Sequence, residues 1–135
     1  MQTSLNYSNV DKELLAAVPQ LEERYKEEAQ WQHDVGGKPG QYDVVCFVLK
    51  PFLRELLDRD ESLNLLQRLF DFFEQMARSS DIQVPNLLQV GIFESLVGEP
   101  KRLVTAWKFM GPETKKIARN AARIWRCEEN LPEKE

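Results

Sequence analysis

The chain has 135 residues, 42% hydrophobic and 30% charged, enough for one globular domain with a real core and too apolar for a disordered segment. Its net charge of −4 is unevenly placed: residues 1–99 hold 17 acids and 9 bases (net −8), whereas residues 100–135 hold 5 acids and 9 bases (net +4). No apolar run approaches the roughly 20 residues that span a bilayer, and no basic-then-apolar leader opens the chain, so a cytoplasmic protein without a membrane partner is expected.

Asn9 suits the N-cap of a short helix through Leu14, Leu15 and Val18. Pro19 suits the first turn of a second helix, over about 19–32, with Leu21, Tyr25 and Ala29 at i, i+4 spacing. Its outer face holds Glu22, Glu23, Glu27 and Glu28. The stretch from His33 to Gly40 is a loop by composition. A third helix begins near Asp43, with Val45, Leu49, Phe52, Leu53 and Leu56 as its apolar face. Pro51 predicts a kink or a break near Lys50, because proline removes a backbone bond and crowds the preceding turn. Val44–Leu49 is rich in β-branched residues and also suits a strand, but no second strand offers itself as partner, so helix is preferred.

Residues 61–79 carry two interleaved apolar rows: Leu63, Leu66, Phe70, Phe73 and Ala77, then Leu65, Leu69, Phe72 and Met76. Asn64, Gln67, Arg68, Asp71, Glu74, Gln75 and Arg78 fall on one narrow polar stripe. A helix apolar over most of its circumference must be contacted on several sides, so this one is the expected centre, with Asp60 as its N-cap. A helix from Asp81 to Val97 follows, with Leu87, Leu88, Ile92, Phe93 and Leu96 inside and Gly98 at its end. Pro100 opens another, which Gly111 closes, and Pro112 opens the last, to about Arg126. The expected fold is all-α: a compact bundle or short stack of antiparallel helix pairs, about six or seven helices in one domain over residues 1–135. Residues 1–8 and 128–135 are expected to fray.

Chemistry is sparse. Gly36-Gly37-Lys38-Pro39-Gly40 lacks the strand, spacing and Ser or Thr of a phosphate loop and reads as a connection. His33, with Asp34 beside it and Cys46 further on, could be drawn as a nucleophilic dyad, but nothing in the spacing favours it. Cys46 and Cys127 are expected as free thiols, and with one histidine they make no metal site. No catalytic residue, cofactor or metal is therefore expected. The acids Asp58, Asp60 and Glu61 cluster at a helix junction, where a negative first turn complements the helix dipole. In the last helix Lys115, Lys116, Arg119, Arg123 and Arg126 occupy one side, and Ile117, Ala121, Ile124 and Trp125 the other. Such a helix can bind phosphates, but it lacks interleaved exposed aromatics, and a solvated face paired with acidic helices is preferred. Trp107 and Trp125 sit at core spacing; Trp31 is the best surface anchor.

Two segments look familiar: Tyr42-Asp43-Val44-Val45-Cys46-Phe47-Val48-Leu49-Lys50-Pro51-Phe52-Leu53, and Phe93-Glu94-Ser95-Leu96 followed by Trp107-Lys108-Phe109-Met110-Gly111-Pro112-Glu113-Thr114. Together they resemble a family of small bacterial helical domains of unknown function, from Leu14 to Trp125, with Met110-Gly111-Pro112 as the most specific junction. The resemblance implies no catalytic residues. In size, charge and lack of chemistry the chain also resembles immunity proteins of bacterial toxin systems. The expectation is a non-enzymatic protein-binding domain, in its most concrete form an immunity protein that neutralises a cognate toxin. Its contact candidates are Glu23, Glu27, Trp31, Asp34, Asp58, Asp60 and Glu61. The alternative is nucleic-acid or phosphate binding through Lys116, Arg119 and Arg123.

Overall fold

The computed structural model describes residues 5–59 and 62–133. Among them are seven helices and no strand, an all-α fold. Helix α1 is Val10–Ala17, and Asn9 stands at its N-cap position, its Oδ1 accepting the Asn6 N–H at 2.8 Å. Pro19–Leu21 forms a 3-10 turn that leads into α2, Glu22–Asp34. Helix α3 covers residues 41–59, α4 is Leu63–Ala77, and α5 covers residues 83–96. Helix α6 is Pro100–Trp107, α7 is Pro112–Ile124, and a 3-10 turn, Glu128–Asn130, follows.

Helix α4 is the centre. Leu66, Leu69, Phe70, Phe72, Phe73 and Met76 are buried, and α1, α3, α5 and α7 all pack against it. Phe70 meets Phe73 edge-on at 5.0 Å and stacks on Phe109 at 6.1 Å. Leu63, in the first turn, is exposed rather than part of the inner row. The expected N-cap Asp60 lies outside the described residues, and Ser62 occupies the N-cap position.

Pro51 neither breaks α3 nor starts a new helix. A π-helical segment, Val44–Leu49, runs directly into Lys50–Arg59, with the Lys50 N–H bonded to the Val45 carbonyl five residues back. The wide turn fits one extra residue ahead of the proline, so the helix runs on through Pro51 without the break that was one of the two expectations. The alternative of a strand here is overturned. A second π segment, Gln89–Phe93, interrupts α5. The two wide turns touch where a Cβ on Gly91 would stand 2.5 Å from the Val45 Cγ1. Valine cannot turn aside at that distance, so only glycine allows this approach.

The α6–α7 junction departs from expectation in a useful way. Gly111 does not close α6; it is the N-cap residue of α7, with Pro112 in its first turn. Glu74, one of the polar-stripe residues of α4, reaches across to this helix start. Its carboxylate accepts the Glu113 N–H at 3.1 Å, the Thr114 N–H at 2.9 Å and the Thr114 hydroxyl at 2.7 Å. The first turn of α7 is thus capped by a side chain from another helix. A Cβ on Gly111 would lie 2.5 Å from the Glu74 Cδ. The junction that stands out in the sequence is therefore a structural lock.

The ends are tied down where fraying is expected. Leu5 accepts the Ser79 hydroxyl at 2.8 Å, and the Tyr7 N–H donates to Asp81 at 2.9 Å. Asn130 donates to the Val97 carbonyl at 2.9 Å, and Leu131 packs on the core. Each tie satisfies a polar group at the rim of the core, which holds the segment against the entropy of release. No helix among the described residues is long and apolar enough to cross a membrane.

Candidate functional site

Helix α2 has no buried residue. Leu21, just before it, is buried and anchors its start, and Tyr25 packs on the core from part-way along. Arg24 supplies the remaining tether. It grips Glu55 of α3 with two bonds, 2.7 and 2.9 Å, and lies over the Phe52 ring at 5.3 Å. The Arg24 hydrogen bond holds the Glu55 carboxyl below its ordinary range. A helix this polar buries little, and most of its perimeter is open to solvent.

That open side presents a groove of ≈ 320 Å³ lined by Arg24, Glu27, Glu28, Trp31 and Phe47. Trp31 is 58% exposed and Phe47 61% exposed. Glu23 and Glu27 are exposed one helical turn apart, and Asp34 is exposed at the far end, where it accepts the Gln30 amide at 2.9 Å. Four of the expected contact residues, Glu23, Glu27, Trp31 and Asp34, thus share one helix. Phe47 joins them from α3, and sequence reasoning missed it. Val44, Val45, Val48 and Leu49 share the buried face, and Phe47, two positions after Val45, falls on the opposite side of the helix. That spacing was the available signal: a large aromatic on the side of α3 away from its apolar face.

Asp58 stands apart from this group. Arg102 of α6 holds its carboxylate with two bonds, 2.8 and 2.7 Å, and also reaches Glu99 at 2.6 Å. Arg54 closes the network on Glu99 at 2.8 Å. The Arg102 hydrogen bond pulls the Asp58 carboxyl below its usual range. Asp58 therefore ties α3 to α6, and its charge is already answered. Asp60 and Glu61 lie outside the described residues.

The basic helix is also partly answered. Lys116 pairs with Glu113 at 2.8 Å. Lys115 and Arg119 lie over Trp107, at 5.3 and 5.6 Å, and pair with Glu133 at 3.5 and 3.7 Å. Trp107 is buried, as its spacing implies. Among the described residues, Glu113 of the helix itself and Glu133 of the C-terminal segment meet these bases. Arg123 is exposed, 3.5 Å from the Asn120 side-chain oxygen. Lys116, Arg119 and Arg123 therefore do not form one bare cationic patch.

Trp125 overturns its expectation of burial. It is 59% exposed, beside exposed Ile124. Helix α7 ends at Ile124, and Arg126 adopts the left-handed region, φ 54°. The Cys127 N–H then bonds to the Ala122 carbonyl at 2.9 Å and the Arg126 N–H to the Arg123 carbonyl at 3.3 Å. This is a Schellman ending with arginine where glycine is usual.

His33 is an exposed side chain, its Nδ1 3.9 Å from Asp34. Cys46 and Cys127 are free and half-buried, and burial pushes the Cys127 thiol up. Among the described residues no three of His, Cys, Asp and Glu gather as ligands for a metal.

The chain belongs to the family described as "Domain of unknown function (DUF7674)", whose model matches residues 12–126. The matched span holds α2, both π segments and the Gly111 junction, and it stops before Glu133. No curated protein and no solved structure matches the chain.

Proposed function

We propose that this chain is a protein-binding domain without catalytic chemistry of its own, and that the open face of α2 with Phe47 is its contact surface. The observation that carries the reading is the pair of exposed aromatics, Trp31 and Phe47, lining one groove with Glu27 and Glu28. Aromatic anchors at the centre of an acidic rim suit a basic protein partner: the rings supply contact energy, the carboxylates speed and orient the encounter. Its most concrete form is an immunity protein that covers a basic bacterial toxin in the cytoplasm. His33 has no part in it.

The test uses a toxin-domain protein encoded beside this chain, purified and titrated by calorimetry. Trp31→Ala with Phe47→Ala should weaken binding by at least a hundredfold, about 2.7 kcal/mol, while the helical circular-dichroism signal stays unchanged. His33→Ala should bind and protect cells as the wild type does. Undiminished affinity in the double variant overturns the reading, as does loss of protection in His33→Ala with binding intact.

A further inference from the structure

The chain has three tryptophans, and the two exposed ones stand in opposite charge environments. Trp31 belongs to α2, whose 22–34 stretch holds five acids and two bases. Trp125 stands at the end of α7, where Lys115, Lys116 and Arg119 are already paired with Glu113 and Glu133 and Arg123 and Arg126 supply the remaining positive charge. Arg123 and Arg126 flank it and are exposed, with Ile124 alongside. Glu128 and Glu129 follow in the next 3-10 turn, so the basic character belongs to the helix and its end.

We infer that the end of α7 is a second docking surface, and that its occupant is the α2 face of another copy of this chain. The α2 face would repel its own likeness, which disfavours a two-fold pairing through α2 alone. Joining the α7 end of one copy to the α2 face of the next unites unlike charges and buries a tryptophan from each side. Such a contact is heterologous: it extends head to tail unless a rotation closes it into a ring. Two aromatic anchors with a charged rim make a small interface, so the association is weak and salt-sensitive. The inference rests on the reading of α2 as a contact surface. It adds regulation, because self-association and a basic partner would compete for Trp31 and Phe47.

Sedimentation velocity across a concentration series tests it. The wild-type mean mass should rise with concentration and return to the monomer value in high salt. Trp125→Ala, the pair Arg123→Glu with Arg126→Glu, and the triple Glu23→Lys, Glu27→Lys, Glu28→Lys should each stay monomeric. An equimolar mixture of the two charge-reversed proteins should associate again, since each then offers the complement of the other. A wild type monomeric throughout overturns the inference, as does association that survives both reversals. A monomeric wild type that binds a single-stranded oligonucleotide, lost in the Arg123→Glu, Arg126→Glu variant, assigns the surface to nucleic acid instead. Self-association is read without the toxin, so either result leaves the partner titration standing or falling on its own.

Discussion

At the residue scale, burial separates side chains that look alike in the sequence. Phe70 and Phe47 both lie in apolar helical runs. Phe70 is fully buried against Phe73 and Phe109, whereas Phe47 projects from the surface. Phe70→Ala should destabilise by about 3–5 kcal/mol through the cavity it leaves. Gln67→Ala, on the exposed stripe beside Asp71, should change stability by no more than about 0.5 kcal/mol. A urea melt that moves equally for both would show that the inward face of α4 is misassigned. The rows of α4 were legible because 3.6-residue spacing alone decides them. Phe47 was legible but passed over, since a position two after Val45 faces away from the apolar side of a regular helix. Trp125 was not, because it keeps core spacing just past the end of α7, and periodicity does not say where the core stops.

At the element scale, the Gly111 junction shows how a local motif depends on a distant side chain. Pro112 marks a helix start in the sequence, but the cap of that helix, Glu74, is 38 positions earlier by number. Nothing local could assign it, since Glu74 reads as one more solvated residue of the polar stripe. The geometry makes the two sites interdependent. Glu74→Ala should cost roughly 2–3 kcal/mol by stripping the acceptors from the Glu113 and Thr114 N–H groups. Gly111→Ala should cost about 1–3 kcal/mol, because its methyl displaces a carboxylate held by four bonds. In the Glu74→Ala background the methyl has nothing to displace, so the double variant should be far less unstable than the two single effects added. Strict additivity in denaturant melts would dissolve the lock. The helix order and most helix limits were readable from proline and glycine punctuation, whereas ties between elements were not.

At the scale of the whole molecule, the charge asymmetry legible in the sequence is only partly expressed at the surface. Asp58, Glu55, Glu99, Glu74 and Glu133 are occupied by Arg102, Arg24, Arg54, Arg78 and the Lys115–Arg119 pair. Counting acids therefore located α2 as a charged face but could not show that Asp58 is paired with Arg102. The same pairing fixes the response to acid. Burial pushes Glu74 up, but the hydrogen bonds from Thr114, the Glu113 N–H and Arg78 outweigh it and leave its carboxyl below the ordinary 4.5. For Glu99 burial likewise opposes, and Arg54 and Arg102 prevail. A carboxyl depressed in the folded state stabilises fully above its unfolded value and loses that contribution as pH falls through its folded value. Thermal stability should thus hold from neutral pH down to about 5 and decline below it as these groups take up protons. Glu74→Gln removes the titrating group but keeps the shape, so its melting temperature should lie below the wild type at neutral pH. The gap should close on acidification, because protonated Glu74 is itself a neutral side chain. A gap that stays constant to about pH 3 would mean that shape, not charge, holds the start of α7.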